Sequence, residues 1–247
     1  MDRWENHVAV VTGASAGIGA AVAKYLANYK MVTVNLDKNI EDYDAVRAEV
    51  SPEVAKRMHC IRCDVRREDQ IKAAFKEIAK KYGPVSVLVN NAGVLVNTRL
   101  LTENNSEDVL NMVETNLIGV VFCTREAFHS MKANGIDGHV FMMNTTCGHK
   151  VPVQPNININ LYPPTKHALT ALTEMYRQEF LHQNTKVKVT SISPGITKTN
   201  FIDHVTVPPY TAVLNPEDVA DVLIYCLQTP PHIQIHEVIM KAIGDIV

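Results

Sequence analysis

The residues best placed to do chemistry together are Tyr162 and Lys166, four apart in "LYPPTKHAL" (161–169). On a helix, that spacing puts a phenol and an ammonium on one face. A free phenol ionises near pH ~10, too high for a base at neutral pH. Lowering that by about three units takes about 4 kcal/mol of selective phenolate stabilisation. One ammonium at ~4 Å, in an effective dielectric of ~20, supplies about that much, while burial acts the other way. The pair therefore suffices for proton transfer at an oxygen-bearing carbon, provided the two groups meet. Pro163 and Pro164 lie between them. First-turn amides have no intrahelical partner, so proline loses nothing there. The residue before a proline is biased toward extended backbone. The expectation is a helix that begins just after Tyr162, with the tyrosine at its cap.

A second constellation is "VVTGASAGIGAAVAKYL", in which Gly13, Gly17 and Gly19 follow an apolar run and open an amphipathic stretch, with Ser15 and Ile18 between them. A tight strand-to-helix turn of this kind brings backbone against a pyrophosphate and aims a helix N-terminus at it. Asp37 ends the second apolar run, 18 residues beyond Gly19. An acid at about that distance bonds the adenosine ribose hydroxyls. It would also repel a 2′-phosphate at a cost of several kcal/mol. The expected cofactor is NAD. Lys38 next door partly neutralises the repulsion and leaves NADP open.

These residues need elements to position them. Apolar or β-branched runs at 7–12, 31–36, 58–63, 85–90, 139–145, 186–193 and 232–240 read as strands buried on both faces. Helical stretches at 17–29, 41–50, 68–81, 106–133, 162–182 and 215–228 separate them. The last opens "NPED", with Asn215 as cap and Pro216 in the first position. The alternation predicts an α/β fold, a single-domain doubly wound Rossmann-type fold with a seven-stranded parallel sheet and helices on both faces. One domain spans 1–247.

Composition narrows the function classes. The chain has 247 residues, 46% hydrophobic, with a net charge of −2, and no basic run suggests nucleic acid. Five scattered cysteines argue against a disulfide framework. No secretory leader or window of ~20 apolar residues stands out. A cytoplasmic protein with no membrane span is expected. Cys60-x-x-Cys63 has no second pair to complete a zinc site, and His232 and His236 would stand about 13 Å apart on a strand, so no metal is expected. Cys147 and Trp4 read as packing residues.

With the glycine turn, "NNAG" (90–93), Tyr162-x-x-x-Lys166, "CDV" (63–65), "TNLIG" (115–119) and "SPGITKT" (193–199) in order, the chain resembles the short-chain dehydrogenase/reductase family. It is most similar to the branch of insect farnesol dehydrogenases and steroid or carbonyl reductases. The segments "CTREAFHSMK", "GHK" and "TPPHIQIHE" carry that finer likeness. The resemblance implies a Tyr162 acid/base. It implies Asp64 and Val65 beside adenine, and Asn91, Ala92 and Gly93 beside the ribose. Pro194, Gly195, Ile196 and Thr199 would lie at the nicotinamide end, and Asn116 would anchor a water that relays protons to Lys166. Thr145 stands where the family usually carries a serine that bonds the substrate oxygen. Threonine keeps the hydroxyl and adds a methyl that stiffens χ1.

The family also implies a substrate lid at about 200–214 and a homodimer or homotetramer built through the helices at 106–133 and 162–182. Phe201, Ile202, Val205, Val207 and Tyr210 make the lid apolar. The expected substrate is a lipophilic alcohol or its aldehyde or ketone: terpenoid, steroid, retinoid or fatty alcohol. A second reading, motivated by Thr145 and the two prolines, is a catalytically weak member that binds cofactor or a hydrophobic ligand.

Overall fold

The seven apolar runs become strands β1 (Val8–Thr12), β2 (Val32–Asp37), β3 (Met58–Arg62), β4 (Val85–Asn90), β5 (His139–Met143), β6 (Lys188–Pro194) and β7 (Glu237–Met240). This computed structural model describes residues 1–152, 158–202 and 212–245. The strands form one sheet, all parallel, in the order β3-β2-β1-β4-β5-β6-β7. Side chains alternate across it. Ala9, Val11, Val87, Val89 and Phe141 face one layer, and Val8, Val10, Leu88, Val140 and Met142 face the other. Both layers are covered, so the strands read as continuously apolar.

Helices α1 (Gly17–Asn28) and α8 (Pro216–Gln228) cover the first face. Helices α4 (Glu68–Lys81), α6 (Gly119–Ala133) and α7 (Tyr162–His182) cover the second. Short helices α2 (Tyr43–Ala48) and α3 (Pro52–Ala55) lie between β2 and β3, and α5 (Ser106–Val113) precedes α6. The strand order reverses between β1 and β4, which opens a crevice at the carboxyl ends of the strands, where such sheets take ligands. Thr12 fastens that seam. Its hydroxyl accepts the N–H groups of Asn91 and Ala92, both at 3.0 Å.

Four boundaries differ from the sequence reading. The helix expected over 41–50 is shortened to α2, and α3 follows with Ser51 as its cap. The helix expected over 106–133 is interrupted by a π-helical turn, Glu114–Ile118. The seventh strand covers Glu237–Met240 instead of 232–240, because buried side chains hold the preceding backbone as a loop. Lys188 Nζ donates to the carbonyls of Pro230 (2.9 Å) and Ile233, and Thr190 Oγ1 donates to that of Ile235. Finally, α7 begins at Tyr162, with Leu161 as its cap. The Tyr162 N–H is bonded to Ile159 O at 2.9 Å and its carbonyl accepts from Thr165 Oγ1 at 2.8 Å. These bonds overcome the extended bias that Pro163 imposes. The prolines occupy second and third positions, where no donor is missed.

Candidate active site

The glycine turn between β1 and α1 is built for close approach. Gly13 and Gly17 adopt φ of +68° and +55°, in the left-handed region. A Cβ on Gly13 would stand 2.9 Å from Ala92 Cα, and one on Gly19 would stand 2.4 Å from Gly13 O. α1 starts after Ala16, has no side-chain cap and carries no acid in its first turn. Its first amides therefore point outward as a positive helix end, open to an anion. Asn35, from the middle of β2, braces the turn. It accepts the Ala14 N–H at 2.8 Å and donates to Ser15 Oγ at 3.1 Å. A single asparagine in an apolar strand was the signal for this residue, and the motif reading passed over it.

A cavity of about 730 Å³ runs from this turn across the carboxyl ends of the strands. At one end stands Asp37, which accepts the N–H groups of Ser15 (3.3 Å) and Asn39 (3.1 Å). Asp64 and Val65 line the same end, with Arg66 gripping Asp64. The Arg66 guanidinium holds the Asp64 carboxyl below the usual carboxylate range. Ser15, Gly17 and Ile18 form the floor beside Asn91, Ala92 and Gly93. The Asn91 side chain turns away from the cavity and donates to the carbonyls of Thr12 (3.0 Å) and Gly13 (2.9 Å). It therefore shapes the turn through its side chain and lines the cavity beside it.

At the opposite end lie Tyr162, Lys166 and Thr145. Lys166 Nζ stands 5.6 Å from the Tyr162 ring centre and donates to Met143 O at 2.8 Å. Burial pushes the Lys166 ammonium down to about 8. Burial pushes the Tyr162 phenol well above its ordinary value, and a hydrogen bond with the Thr145 side chain acts against it. Thr145 Oγ1 also accepts the Cys147 N–H at 3.4 Å, which folds the turn after β5. Cys147 lines the cavity too, its thiol pushed up by burial.

Two expected residues are absent from the cavity wall. Gly19 packs behind the turn, against Gly13 and Asn91. Asn116 is buried in the π-helical turn. Its side chain pairs with the backbone of Val94, donating at 2.9 Å and accepting at 2.8 Å, and donates to Thr165 Oγ1 at 3.3 Å. Thr165 in turn holds the Tyr162 carbonyl.

The far wall is Pro194, Gly195, Ile196 and Thr199, with Asp245 from the C-terminal segment, a residue no motif marked. Phe201, whose ring lies 5.7 Å from that of Tyr162, begins the expected lid. Its middle, 203–211, falls outside the described residues, as does 153–157 of the flanking loop. Leu214 returns to the body of the protein through bonds with Ile196 and Lys198. Cys63 is buried and Cys60 half-buried, both thiols are pushed up to about 12 by burial, and both are free. Among the described residues no group of His, Cys, Asp or Glu could hold a metal, and no helix is long and apolar enough to cross a membrane.

Comparison with known proteins agrees with this fold. The family model for short chain dehydrogenase matches residues 7–207. The chain is 43% identical to a farnesol dehydrogenase of Aedes aegypti over 99% of both chains. It is 37% identical to dehydrogenase/reductase SDR family member 11 of Mus musculus, covering 98% of this chain and 96% of the relative. Among solved structures, an alcohol dehydrogenase of Thermococcus sibiricus complexed with 5-hydroxy-NADP superposes with a TM-score of 0.82, at 25% identity, over 96% of this chain and 97% of the other. A metagenomic short-chain oxidoreductase in complex with NADP does so with a TM-score of 0.80, at 26% identity, over 97% and 98%.

Proposed function

The chain belongs to the short-chain dehydrogenase family, and on that premise we propose that it interconverts a lipophilic alcohol and its aldehyde or ketone, with NAD as the preferred hydride carrier. One observation carries this reading: a single cavity joins an uncapped, glycine-lined helix end to a buried tyrosine, lysine and threonine. The cradle fits a dinucleotide, since Cβ atoms on Gly13 and Gly17 would close the space and α1 offers free amides.

The nicotinamide cofactor, when bound, takes up or releases the hydride. The protein's own groups handle the proton and the orientation. Thr145 holds the substrate oxygen toward Tyr162. Tyr162 accepts the hydroxyl proton in oxidation and returns it in reduction. Lys166 supplies a nearby positive charge that offsets the burial of the phenolate as it forms. Asn116 acts from behind, through Thr165 and the Tyr162 carbonyl.

Asp37 supports NAD, because its carboxylate stands where a 2′-phosphate would meet like charge. The solved neighbours hold NADP forms, so this preference is a property proposed for this chain alone. Val94, Ile159, Phe201 and Pro152 make the substrate end apolar. The name of the mosquito relative supports acyclic terpenoid alcohols as the first candidates to test. Exposed Leu110, Met175 and Leu181 on α5 and α7 support a homo-oligomer formed through those helices.

The test is nicotinamide absorbance followed with both cofactors and a panel of terpenoid, steroid, retinoid and fatty alcohols. Turnover with NAD and apolar alcohols is expected. Binding of nucleotide with no turnover across the panel would favour a ligand-binding role instead.

A further inference from the structure

The C-terminal segment brings a carboxylate into the cavity. β7 ends at Met240, whose carbonyl accepts the Gly195 N–H at 2.8 Å, so the segment stays pinned to the end of β6. Asp245 N–H then bonds to Ala242 O at 3.0 Å, closing a turn. Gly244 in that turn has φ of +92°, a conformation side chains resist. The turn sends the Asp245 side chain back to the cavity wall, where it is only 2% exposed. A Cβ on Gly195 would stand 2.8 Å from Asp245 Oδ2, so glycine at 195 is what leaves room for the carboxylate. Lys241 Nζ lies 3.8 Å from the same oxygen. Its side chain is 37% exposed, so its charge reaches that oxygen partly screened by solvent.

This carboxylate belongs to the reaction end of the cavity. Gly195 follows β6, and β6 pairs with β5, the strand that leads into Thr145. Hydride transfer requires the nicotinamide ring to share this end with the substrate held by Tyr162. The oxidised ring carries a positive charge that the reduced ring lacks. A wall charge that differs in its interaction with two ligand states shifts the balance between them, and does so strongly where water is excluded.

Resting on the nucleotide reading above, we infer that Asp245 is a specificity-determining residue that makes the cavity favour the oxidised over the reduced nicotinamide cofactor. The test is calorimetric titration of the full-length protein with each redox form of the same cofactor, in wild type, Asp245→Asn and Lys241→Met. In Asp245→Asn the ratio of oxidised to reduced affinity should fall roughly ten-fold, carried by weaker binding of the oxidised form. In Lys241→Met the ratio should rise, because the carboxylate loses its partial screen. An unchanged ratio in Asp245→Asn, with both forms still bound by wild type, overturns this inference and leaves the nucleotide reading standing. Wild type that binds neither form overturns both. Should Asp245→Asn not fold, Lys241→Met decides the matter: a ratio that stays constant or falls there also overturns it.

Discussion

The Lys166 ammonium stands 5.6 Å from the centre of the Tyr162 ring, yet its hydrogen bond goes to the Met143 carbonyl. The two groups share one face of α7, as their spacing requires, but the lysine is aimed at the backbone beneath the site. Burial holds the phenol well above its ordinary value, and the influence that opposes it comes from the Thr145 side chain.

Tyr162→Phe keeps the ring and its packing against Phe201 while removing the proton carrier. We expect kcat to fall roughly 10²- to 10⁴-fold, the usual contribution of a general acid/base. Nucleotide affinity by calorimetry should stay near wild type. Retention of full turnover would remove Tyr162 from the proton transfer.

Lys166 also sets a stability profile. Burial lowers it from 10.5 to about 8. Between those pH values the unfolded chain holds a proton that the folded chain has released, so stability climbs with pH across that window. The climb is on the order of 3 kcal/mol, and the cost is fully present below pH ~8. Cys60 and Cys63 act oppositely, since their thiols are held up to about 12 when folded and ionise earlier when unfolded. The comparison is therefore a difference. In urea melts at a series of pH values, the advantage of Lys166→Met over wild type should shrink between pH ~8 and ~10.5. A constant difference contradicts the burial of a charged Lys166.

Thr145→Ala removes a hydroxyl that bonds both Tyr162 and the Cys147 N–H. A roughly 10²-fold loss in kcat is expected, the scale of losing one oriented donor. Thr145→Ser should retain most of the rate, because the extra methyl has no part in either bond. Equal rates in all three proteins would exclude the threonine from the mechanism.

Asp37→Ser should move cofactor selectivity toward NADP by roughly ten-fold or more in kcat/KM, since the like-charge contact disappears. Turnover measured with both cofactors reads this directly. A wild type that already prefers NADP would refute the ribose role.

Gly19→Ala tests the cradle. Its Cβ would stand 2.4 Å from Gly13 O and 2.5 Å from Asn91 Nδ2. Destabilisation of about 1–3 kcal/mol in urea melts is expected, together with weaker nucleotide binding. Unchanged affinity would show that the turn tolerates displacement.

The sheet, its helices and the glycine turn were legible because each rests on a local pattern. Apolar runs are bounded by turn residues, and glycines recur at fixed spacing. What escaped depends on side chains that reach backbone far away. Lys188 shortens β7 by holding Pro230 and Ile233, contacts no periodicity records. The π-helical turn at Glu114–Ile118 places Asn116 behind the wall, where Val94 and Thr165 take its side chain. Asp245 reaches the cavity only because a loose-looking stretch, "KAIGD", turns back on Gly195. Tyr162 entered the helix, against the bias of Pro163, through bonds on both its N–H and its carbonyl.

The seam closed by Thr12 and Asn91 joins residues 79 apart in the chain. During synthesis β1 emerges long before β4, its eventual neighbour. At ordinary rates of elongation the interval is roughly 4–16 s. Through it "VAVVT" presents an open, apolar strand edge, the kind that recruits other chains. The strand that anchors the glycine turn therefore waits unpaired on its β4 side, and chaperone demand at that edge should last until β4 has emerged.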